Sequence, residues 1–368
     1  MKFSAQRESI LEPLAQVIGA VERRQTSPVL GNVLVEAAED GVTVTASDSE
    51  IELRAATAIA VERPGSTTIP ARKLFEICRH LPEESRVEVE QEGERVRVKA
   101  GRSRFTLATL AAEQFPVSTP LDDARRIVLP AAALLRCMKS TAFSMAMQDV
   151  RFYLNGMLVE IAEDALRTVA TDGHRLAWAH VALDGVAGEP VRAIVPRKSV
   201  GELQRLLGGA ADNADVTLEL TEQQLQASIE GVRLTTRLID GRFPDYDRVI
   251  PVDGDKELLV DCRTLRQALT RASVLSNEKY RGIRLALGEG VLTISSNNPD
   301  QEEAVDELEI DYAGPPTEIG FNVTYLLEVL GAVETENARI VLKDGNSSAL
   351  VTPETGEASR YVVMPMRL

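Results

Sequence analysis

The sequence predicts an α+β fold in which one domain occurs three times, each copy with two helices packed on antiparallel sheets. A strand phrase recurs with a period of about 126 residues, beginning at Gly31, Gly156 and Gly282. A second, unrelated phrase keeps the same period of about 126 residues, beginning at Pro70, Pro196 and Asn322. Because two independent phrases share one period, the chain is a triplication rather than a set of chance matches.

Each copy is predicted to open with an amphipathic helix, since apolar residues recur at helical spacing in residues 9–18, 133–138 and 265–269. Asp261 precedes the third of these helices and is a suitable N-cap. A second helix per copy is predicted for residues 74–78, 200–207 and 325–330. The remainder alternates with period two, as in residues 86–90 and 216–220, which predicts about eight strands in each copy.

Extended segments near residues 116–122 and 251–255 are the natural connectors between copies. We therefore expect an N-terminal domain at 1–120, a middle domain at 127–250 and a C-terminal domain at 254–368.

Composition narrows the class of protein. The 368 residues are 44% hydrophobic and 26% charged, as in a globular protein, and the net charge of -15 argues against tight, direct binding of nucleic acid phosphates. The three cysteines, Cys78, Cys137 and Cys262, lie far apart and favour a reduced cytoplasm. No apolar run approaches the roughly 18 residues of a membrane span, and the N-terminus lacks a signal peptide's hydrophobic segment. We expect a cytoplasmic, nucleoid-associated protein without a membrane partner.

Two charge patterns need explanation. Basic residues collect on the predicted helices, either as ordinary solvated faces or as a surface that follows a phosphate backbone weakly and without reading sequence. Basic residues also crowd the strand that ends at Phe105, whereas residues 300–311 carry seven acidic residues and no basic one. Such strands are charged either to prevent aggregation or to join the first copy of one chain to the third copy of another.

The run Thr171-Asp172-Gly173-His174-Arg175 looks most like a catalytic site, since a His beside an Asp suits a general base or a metal ligand. The first copy has Ser47-Asp48-Ser49-Glu50 at this position, which favours a turn between strands. Asp245 and Asp247 form a further weak metal candidate. The sequence contains no paired-His, Cys-His, Walker or GxGxxG motif, so we predict no enzyme, no catalytic residue, no cofactor and no resident metal.

Six motifs, in order along the whole chain, resemble the bacterial DNA polymerase III beta subunit family of sliding clamps. They are residues 153–158, 170–176, 240–246, 275–279, 320–323 and 361–368. The resemblance implies three clamp domains per chain and a head-to-tail homodimeric ring with helices inside and sheets outside. It implies a processivity factor that holds polymerases on DNA, is opened by an ATP-driven loader and has no active site. Phe152 departs from the family's usual pair of tyrosines, and residues 322–334 carry no Lys or Arg.

The resemblance also implies a pocket between the second and third copies, where partners dock through an extended Gln-Leu-x-Leu-Phe peptide. The expected partners are the replicative polymerase alpha subunit, the clamp loader delta subunit, and other polymerases and repair proteins. His174 and Arg175 are expected to hydrogen-bond the peptide backbone. The implied pocket residues are Leu154, Thr171, Gly173, His174, Arg175, Leu176, Pro244, Arg248, Val249, Asn322, Tyr325, Ser348, Val362, Val363, Met364, Pro365, Met366, Arg367 and Leu368.

The implied contacts with duplex DNA are topological, weak and non-specific, made by Arg24, Arg72, Lys73, Arg79, Gln148, Tyr153, Arg197 and Lys198. For the dimer interface we expect Phe105, Val274 and Leu275 as apolar anchors, with Arg102 and Arg104 against Glu302 and Glu303. Two alternatives from other classes stay open at this point. One is a metal-dependent hydrolase centred on Asp172, His174 and Asp245, and the other is a monomeric scaffold with no role on DNA.

Overall fold

The computed structural model describes residues 1–22, 27–162, 165–183 and 190–367. Within these residues the helices are α1 Arg7–Val17, α2 Ala71–His80, α3 Ala131–Lys139, α4 Arg197–Gly208, α5 Cys262–Ser273 and α6 Val323–Ala332. Each predicted helix is present, with two in each copy. Asp261 is the N-cap of α5, as its spacing predicts: its carboxylate accepts a hydrogen bond from the Thr264 N–H at 2.6 Å.

The strands follow one order in each copy. The first copy has β1 Lys2–Gln6, β2 Asn32–Ala38, β3 Gly41–Ser47, β4 Ile51–Thr57, β5 Val61–Arg63, β6 Gly65–Pro70, β7 Arg86–Glu92, β8 Arg95–Ala100 and β9 Ser103–Ala108. The second has β10 Arg125–Pro130, β11 Gly156–Ala162, β12 Ala165–Thr171, β13 Arg175–Ala182, β14 Val191–Pro196, β15 Asp215–Leu220, β16 Gln224–Ile229 and β17 Val232–Arg237. The third has β18 Lys256–Asp261, β19 Gly282–Gly288, β20 Val291–Asn297, β21 Glu303–Glu309, β22 Thr317–Asn322, β23 Asn337–Leu342, β24 Ala349–Pro353 and β25 Ser359–Val363. The α+β prediction is confirmed, and within the described residues β5 has no counterpart in the other copies.

The described strands form four antiparallel sheets. Two have the orders β5-β1-β7-β8-β9 and β10-β15-β16-β17-β4-β3-β2-β6, and two have the orders β14-β11-β12-β13-β25-β24-β23-β18 and β21-β20-β19-β22. The last strand of the second copy, β17, therefore pairs with β4 of the first copy. In the same way β25 of the third copy pairs with β13 of the second.

Contacts divide the chain into two units, and the pairing across copies explains where the division falls. Unit one contains Met1–Ala132 and Gly201–Leu238, and unit two contains Ala133–Val200 and Ile239–Leu368. The middle copy thus contributes to both units, because β15–β17 join the sheet of the first copy while β11–β14 join that of the third. The three domain boundaries drawn from the sequence stay a prediction.

Each unit has its own apolar core. In unit one, α1 packs against α2, β3 and β4, where Leu14, Val17 and Leu53 are fully buried. In unit two, α5 packs against α6, β20 and β21, and Phe321 and Tyr361 fill the space beneath them. Among the helices of the described residues, none is long and apolar enough to cross a bilayer.

Candidate functional site

The turn between β12 and β13 forms one wall of the candidate site. The Thr171 hydroxyl accepts a hydrogen bond from the Gly173 N–H at 3.0 Å and donates one to the Arg175 carbonyl at 2.6 Å. Asp172 Oδ1 accepts from the His174 and Arg175 N–H groups at 2.9 and 3.1 Å. Gly173 has φ +88°, a conformation that favours glycine. The run that looked catalytic is therefore a tightly bonded turn.

Arg175 is the most heavily bonded side chain of this wall. Its guanidinium donates to Asp172 Oδ2 at 3.1 Å, to the Phe143 carbonyl at 2.7 Å and to the Glu328 carboxylate. It also lies over the Tyr325 ring, 4.5 Å from the centroid. With 8% of its side chain exposed, Arg175 ties the turn to α6 and to the segment around Phe143. These bonds suit Arg175 to positioning the wall rather than to contacting a ligand directly.

The C-terminal segment forms a second side and lies directly beside the turn, because β25 pairs with β13. Val362 and Val363 are fully buried in β25, whereas Met364 is 42% exposed. The segment beyond β25 is held at two points: the Met364 N–H donates to the His174 carbonyl at 2.9 Å, and the Met366 N–H donates to the Gly320 carbonyl at 2.8 Å. An open groove of about 500 Å³ runs along its far side, lined in part by Pro365, Met366 and Arg367.

An apolar cluster underlies both sides. It joins Leu176 and Val362 to side chains that sequence reasoning did not assign to the pocket, namely Leu158, Val169, Trp178, Ile194, Phe243 and Tyr246. The Tyr246 hydroxyl donates to Glu160 Oε1 at 3.1 Å. Burial, and then the Glu160 carboxylate, raise the pKa of Tyr246 to about 12. The aromatic pair in Phe243-Pro244-Asp245-Tyr246 was the available sequence signal for this floor, since both rings are buried in one cluster with Leu176 and Trp178 of β13.

The remaining pocket candidates lie around this core with different exposure. Leu154 is buried, Val249 is 38% exposed, and Pro244 is exposed. Arg248 is 85% exposed and pairs with Asp245 at 2.8 Å. Asn322 caps α6 by accepting from the Thr324 N–H at 2.9 Å, and Ser348 is half-buried just before β24. Leu368 lies outside the described residues.

The candidate DNA contacts are distributed over helices and one loop. Arg72, Lys73 and Arg79 lie on α2, where Arg72 donates to the Val21 carbonyl at 2.6 Å and Arg79 pairs with Glu76 at 2.7 Å. Arg197 and Lys198 begin α4, and Arg197 donates to the Met145 carbonyl at 2.9 Å. Gln148 is exposed with φ +56°, and Tyr153 is half-buried. Arg24 lies outside the described residues.

The candidate interface residues belong to two strands that end their sheets and to the end of α5. Arg104 and half-buried Phe105 lie in β9, and Arg102 lies in the turn before it. Glu303 begins β21, with exposed Glu302 just before it. Val274, 76% exposed, is the C-cap of α5, and Leu275 comes next along the chain and is half-buried.

The residues of the hydrolase alternative are engaged in local structure. Asp172 accepts the three bonds of the turn, and Asp245 pairs with Arg248. Within the described ranges, no group of three or more His, Cys, Asp or Glu residues could hold a metal ion. Burial raises the pKa of the Cys78 thiol to about 12 and that of Cys137 to about 11, which disfavours the reactive thiolate.

Comparison with known proteins decides the family. Three family models match in succession: the N-terminal domain of the DNA polymerase III beta subunit at residues 1–119, its central domain at 128–245 and its C-terminal domain at 247–367. The chain belongs to the DNA polymerase III beta subunit family.

Curated relatives named Beta sliding clamp match this chain over their full length. Those from Pseudomonas aeruginosa and Escherichia coli K12 are both 47% identical, with 100% of each chain covered. A crystal structure of the P. aeruginosa beta subunit superposes with a TM-score of 0.97 at 46% identity, and that of Caulobacter crescentus with 0.95 at 38%, again covering 100% of both chains. The family is consistent with a non-catalytic accessory subunit of a DNA polymerase.

Proposed function

We propose that two copies of this replication sliding clamp close head to tail into a six-domain ring, with helices lining the hole and sheets outside. The observation that carries the proposal is the pattern of strand pairing. β17 pairs with β4, and β25 pairs with β13. In both cases the last strand of one copy pairs with the third of three consecutive antiparallel strands in the preceding copy, β2-β3-β4 or β11-β12-β13. β9 is the last strand of the first copy, and β21 is the strand of the third copy that corresponds to β4 and β13. Each of them is the terminal strand of its sheet among the described strands. Two chains satisfy both edges if β9 of one pairs with β21 of the other.

The repeat also fixes the register of this pairing. Leu234 faces Leu53 in one junction, and Tyr361 faces Ala177 in the other. The equivalent pair between two chains is Phe105 and Ala304, because Ala304 faces Ser296 of β20 as Leu53 faces Ala46 of β3. The same register puts Arg104 opposite Val305, which is 61% exposed in the single chain, whereas the sequence expectation paired Arg104 with Glu302 and Glu303. Burial of the apolar pair should dominate, since each exposed ion pair contributes at most about 1 kcal/mol.

The ring binds duplex DNA by enclosing it, without sequence specificity. A net charge of -15 opposes tight phosphate binding, so basic residues on α2 and α4 supply only weak, salt-sensitive contacts. The bonds that Arg72, Arg79 and Arg197 make within their own chain reduce these contacts further, because a guanidinium that leaves such a bond must replace it. Enclosure of the DNA compensates for these weak contacts, because a polymerase tethered to the ring keeps a high effective concentration at the primer end.

Partner peptides dock in unit two, over the turn at residues 171–176 and the C-terminal segment beside it. Leu176, Val362 and the aromatic floor offer an apolar pocket for the Leu and Phe of a Gln-Leu-x-Leu-Phe peptide. Exposed Met364 lies at the pocket edge and can adapt to different partners. The polymerase alpha subunit, the clamp loader delta subunit and other polymerases or repair proteins would share this pocket.

Deletion of residues 364–368 tests the pocket. The deletion removes both hydrogen bonds that hold the segment beyond β25, but it leaves β25 and its buried valines in place. Fluorescence anisotropy with a labelled Gln-Leu-x-Leu-Phe peptide should show binding lost or weakened at least about tenfold, a change of about 1.4 kcal/mol. Mass photometry of the same sample should show an unchanged dimer. Unchanged peptide affinity would place the docking site elsewhere.

A further inference from the structure

Unit one contains a second cleft, of about 340 Å³, at the ends of β3, β4 and β17. Residues 47–52 form one wall and residues 116–119 form another. The cleft shares no residue with the pocket in unit two, so a ligand bound here is independent of the proposed peptide docking there.

The wall of this cleft repeats three backbone N–H bonds of the turn in unit two. The Ser47 hydroxyl accepts from the Ser49 N–H at 3.1 Å, as Thr171 accepts from Gly173. Asp48 Oδ1 accepts from the N–H groups of the second and third residues after it, both at 2.8 Å, as Asp172 does. Ser49 has φ +80°, close to the +88° of Gly173. The two clefts therefore have the same frame.

The floors of the two clefts differ in chemistry. Leu176 pairs with Val362 in unit two, and the equivalent pair in unit one is Glu52 with Thr235. Likewise, the position that Val363 occupies in unit two is occupied by Thr236 in unit one. A peptide that inserts leucine and phenylalanine into an apolar floor gains nothing here, because the same positions present a carboxylate and two hydroxyls.

Two acceptors on this floor are buried and incompletely bonded. Glu52 is 7% exposed, and its Oε2 accepts the Ser118 N–H at 2.7 Å. No cation among the described residues forms an ion pair with it, although a buried carboxylate without a counter-charge is costly. Gln224 also lines the cleft, and its Oε1 is buried without a hydrogen-bond partner in the described part of the chain. Both groups require N–H donors.

We propose that this cleft binds an extended peptide segment through one arginine side chain, whose guanidinium donates to Glu52 and to Gln224. A guanidinium fits because it supplies five N–H donors in a planar fork, enough for a carboxylate and an amide oxygen together. Exposed Glu50 and Arg237 lie at the rim with opposite charges, so the rim itself neither attracts nor repels a single cation strongly. The clamp thus has a second docking site, which recognises a basic side chain rather than apolar ones.

The test uses the full-length protein with labelled isoleucine δ1-methyl groups. Ile51 is 1% exposed and lines the cleft, so its methyl resonance reports occupancy. The peptide acetyl-Ser-Arg-Ser-amide should shift this resonance saturably, whereas the same peptide with citrulline, which lacks the charge, should not. Glu52→Gln should weaken binding at least about tenfold, and Glu50→Gln, at the exposed rim, less than about threefold. Gln224→Leu provides an independent variant and should also weaken binding.

Each alternative outcome overturns the proposal in a recognisable way. Equal shifts from the arginine and citrulline peptides would mean that the charge is not recognised. A shift produced by Mg²⁺ alone at the same resonance, with none from the arginine peptide, would mean an inorganic cation site. Binding that survives both Glu52→Gln and Gln224→Leu, in variants with unchanged circular dichroism, would place the peptide elsewhere. A peptide of Gln-Leu-x-Leu-Phe type should leave Ile51 unchanged, which separates this result from that of the other pocket.

Discussion

Arg175 offers the sharpest test of how the peptide pocket is built. Substitution Arg175→Ala removes the guanidinium that joins the turn at residues 171–176 to α6, and it leaves the Phe143 carbonyl and Asp172 Oδ2 without the guanidinium as donor. We expect two consequences: a less stable unit two, and weaker peptide binding because Leu176 is no longer held against the floor.

The magnitude depends on the burial of each partner. The bonds to Phe143 and to Asp172, whose side chain is 17% exposed, are each worth about 1.5–3 kcal/mol as bonds to a charged group. The Glu328 pair contributes at most about 1 kcal/mol, since that carboxylate is 40% exposed. These contributions belong to one side chain and do not add fully, so we expect a loss of about 3 kcal/mol in the free energy of unfolding.

Urea unfolding followed by tryptophan fluorescence measures this loss. Trp178 is the single tryptophan of the chain and lies in the pocket floor with Leu176, so its emission reports unit two. Arg284→Ala is the matched control, because Arg284 forms an exposed pair with Glu318 and should cost less than about 1 kcal/mol. Arg175→Lys should be intermediate, since it keeps the charge without the fork. If Arg175→Ala is as stable as Arg284→Ala and binds the peptide equally well, the guanidinium does not hold the wall.

Two further predictions concern the dimer and alkaline stability. Phe105→Ala should raise the dimer dissociation constant at least about thirtyfold, a loss of about 2 kcal/mol, as seen by mass photometry. Phe152→Ala, which alters a 56% exposed ring that belongs to neither β9 nor β21, should leave the dissociation constant unchanged. Dimers that persist in both variants would exclude Phe105 as an anchor. The pKa of Tyr246 rises from 10.0 to about 12 because the fold favours the neutral phenol. Its contribution to stability is therefore complete below pH 10.0 and is lost as the pH rises to about 12, since the unfolded chain releases the phenol proton first. The folded state therefore loses stability as the pH rises through this range, Tyr246→Phe should reduce that loss, and parallel urea midpoints for both proteins would contradict the assignment.

Much of the fold is encoded in local pattern. Helical spacing placed both helices of each copy, and the acidic residue before α5 identified its N-cap. Strand alternation, by contrast, tells which face a residue occupies but not which strand lies beside it. The pairing of β17 with β4 was therefore not predictable from the alternation of either strand, and neither was the division into two units that results from it.

The site shows the same division between local and long-range information. Comparison of residues 171–175 with Ser47-Asp48-Ser49-Glu50 predicted a turn between strands, and the structure has this turn. The burial of Arg175 was not predictable, because arginine is mostly exposed and its partners Phe143 and Glu328 are distant in sequence. Trp178 and Tyr246 were missed for a similar reason: they reach the pocket floor only when β13 and the segment after β17 are brought together.

Retention on DNA of defined topology tests the proposed enclosure most directly. The protein is loaded by the clamp loader onto a nicked circular duplex, and its release is followed in moderate salt before and after the circle is cut once. Enclosure predicts that the loaded ring stays on the intact circle at a salt concentration that abolishes binding to short linear duplex, and that it leaves when the cut provides an end. Equal release from the intact and the cut DNA would show that contact, not topology, holds the protein on its substrate.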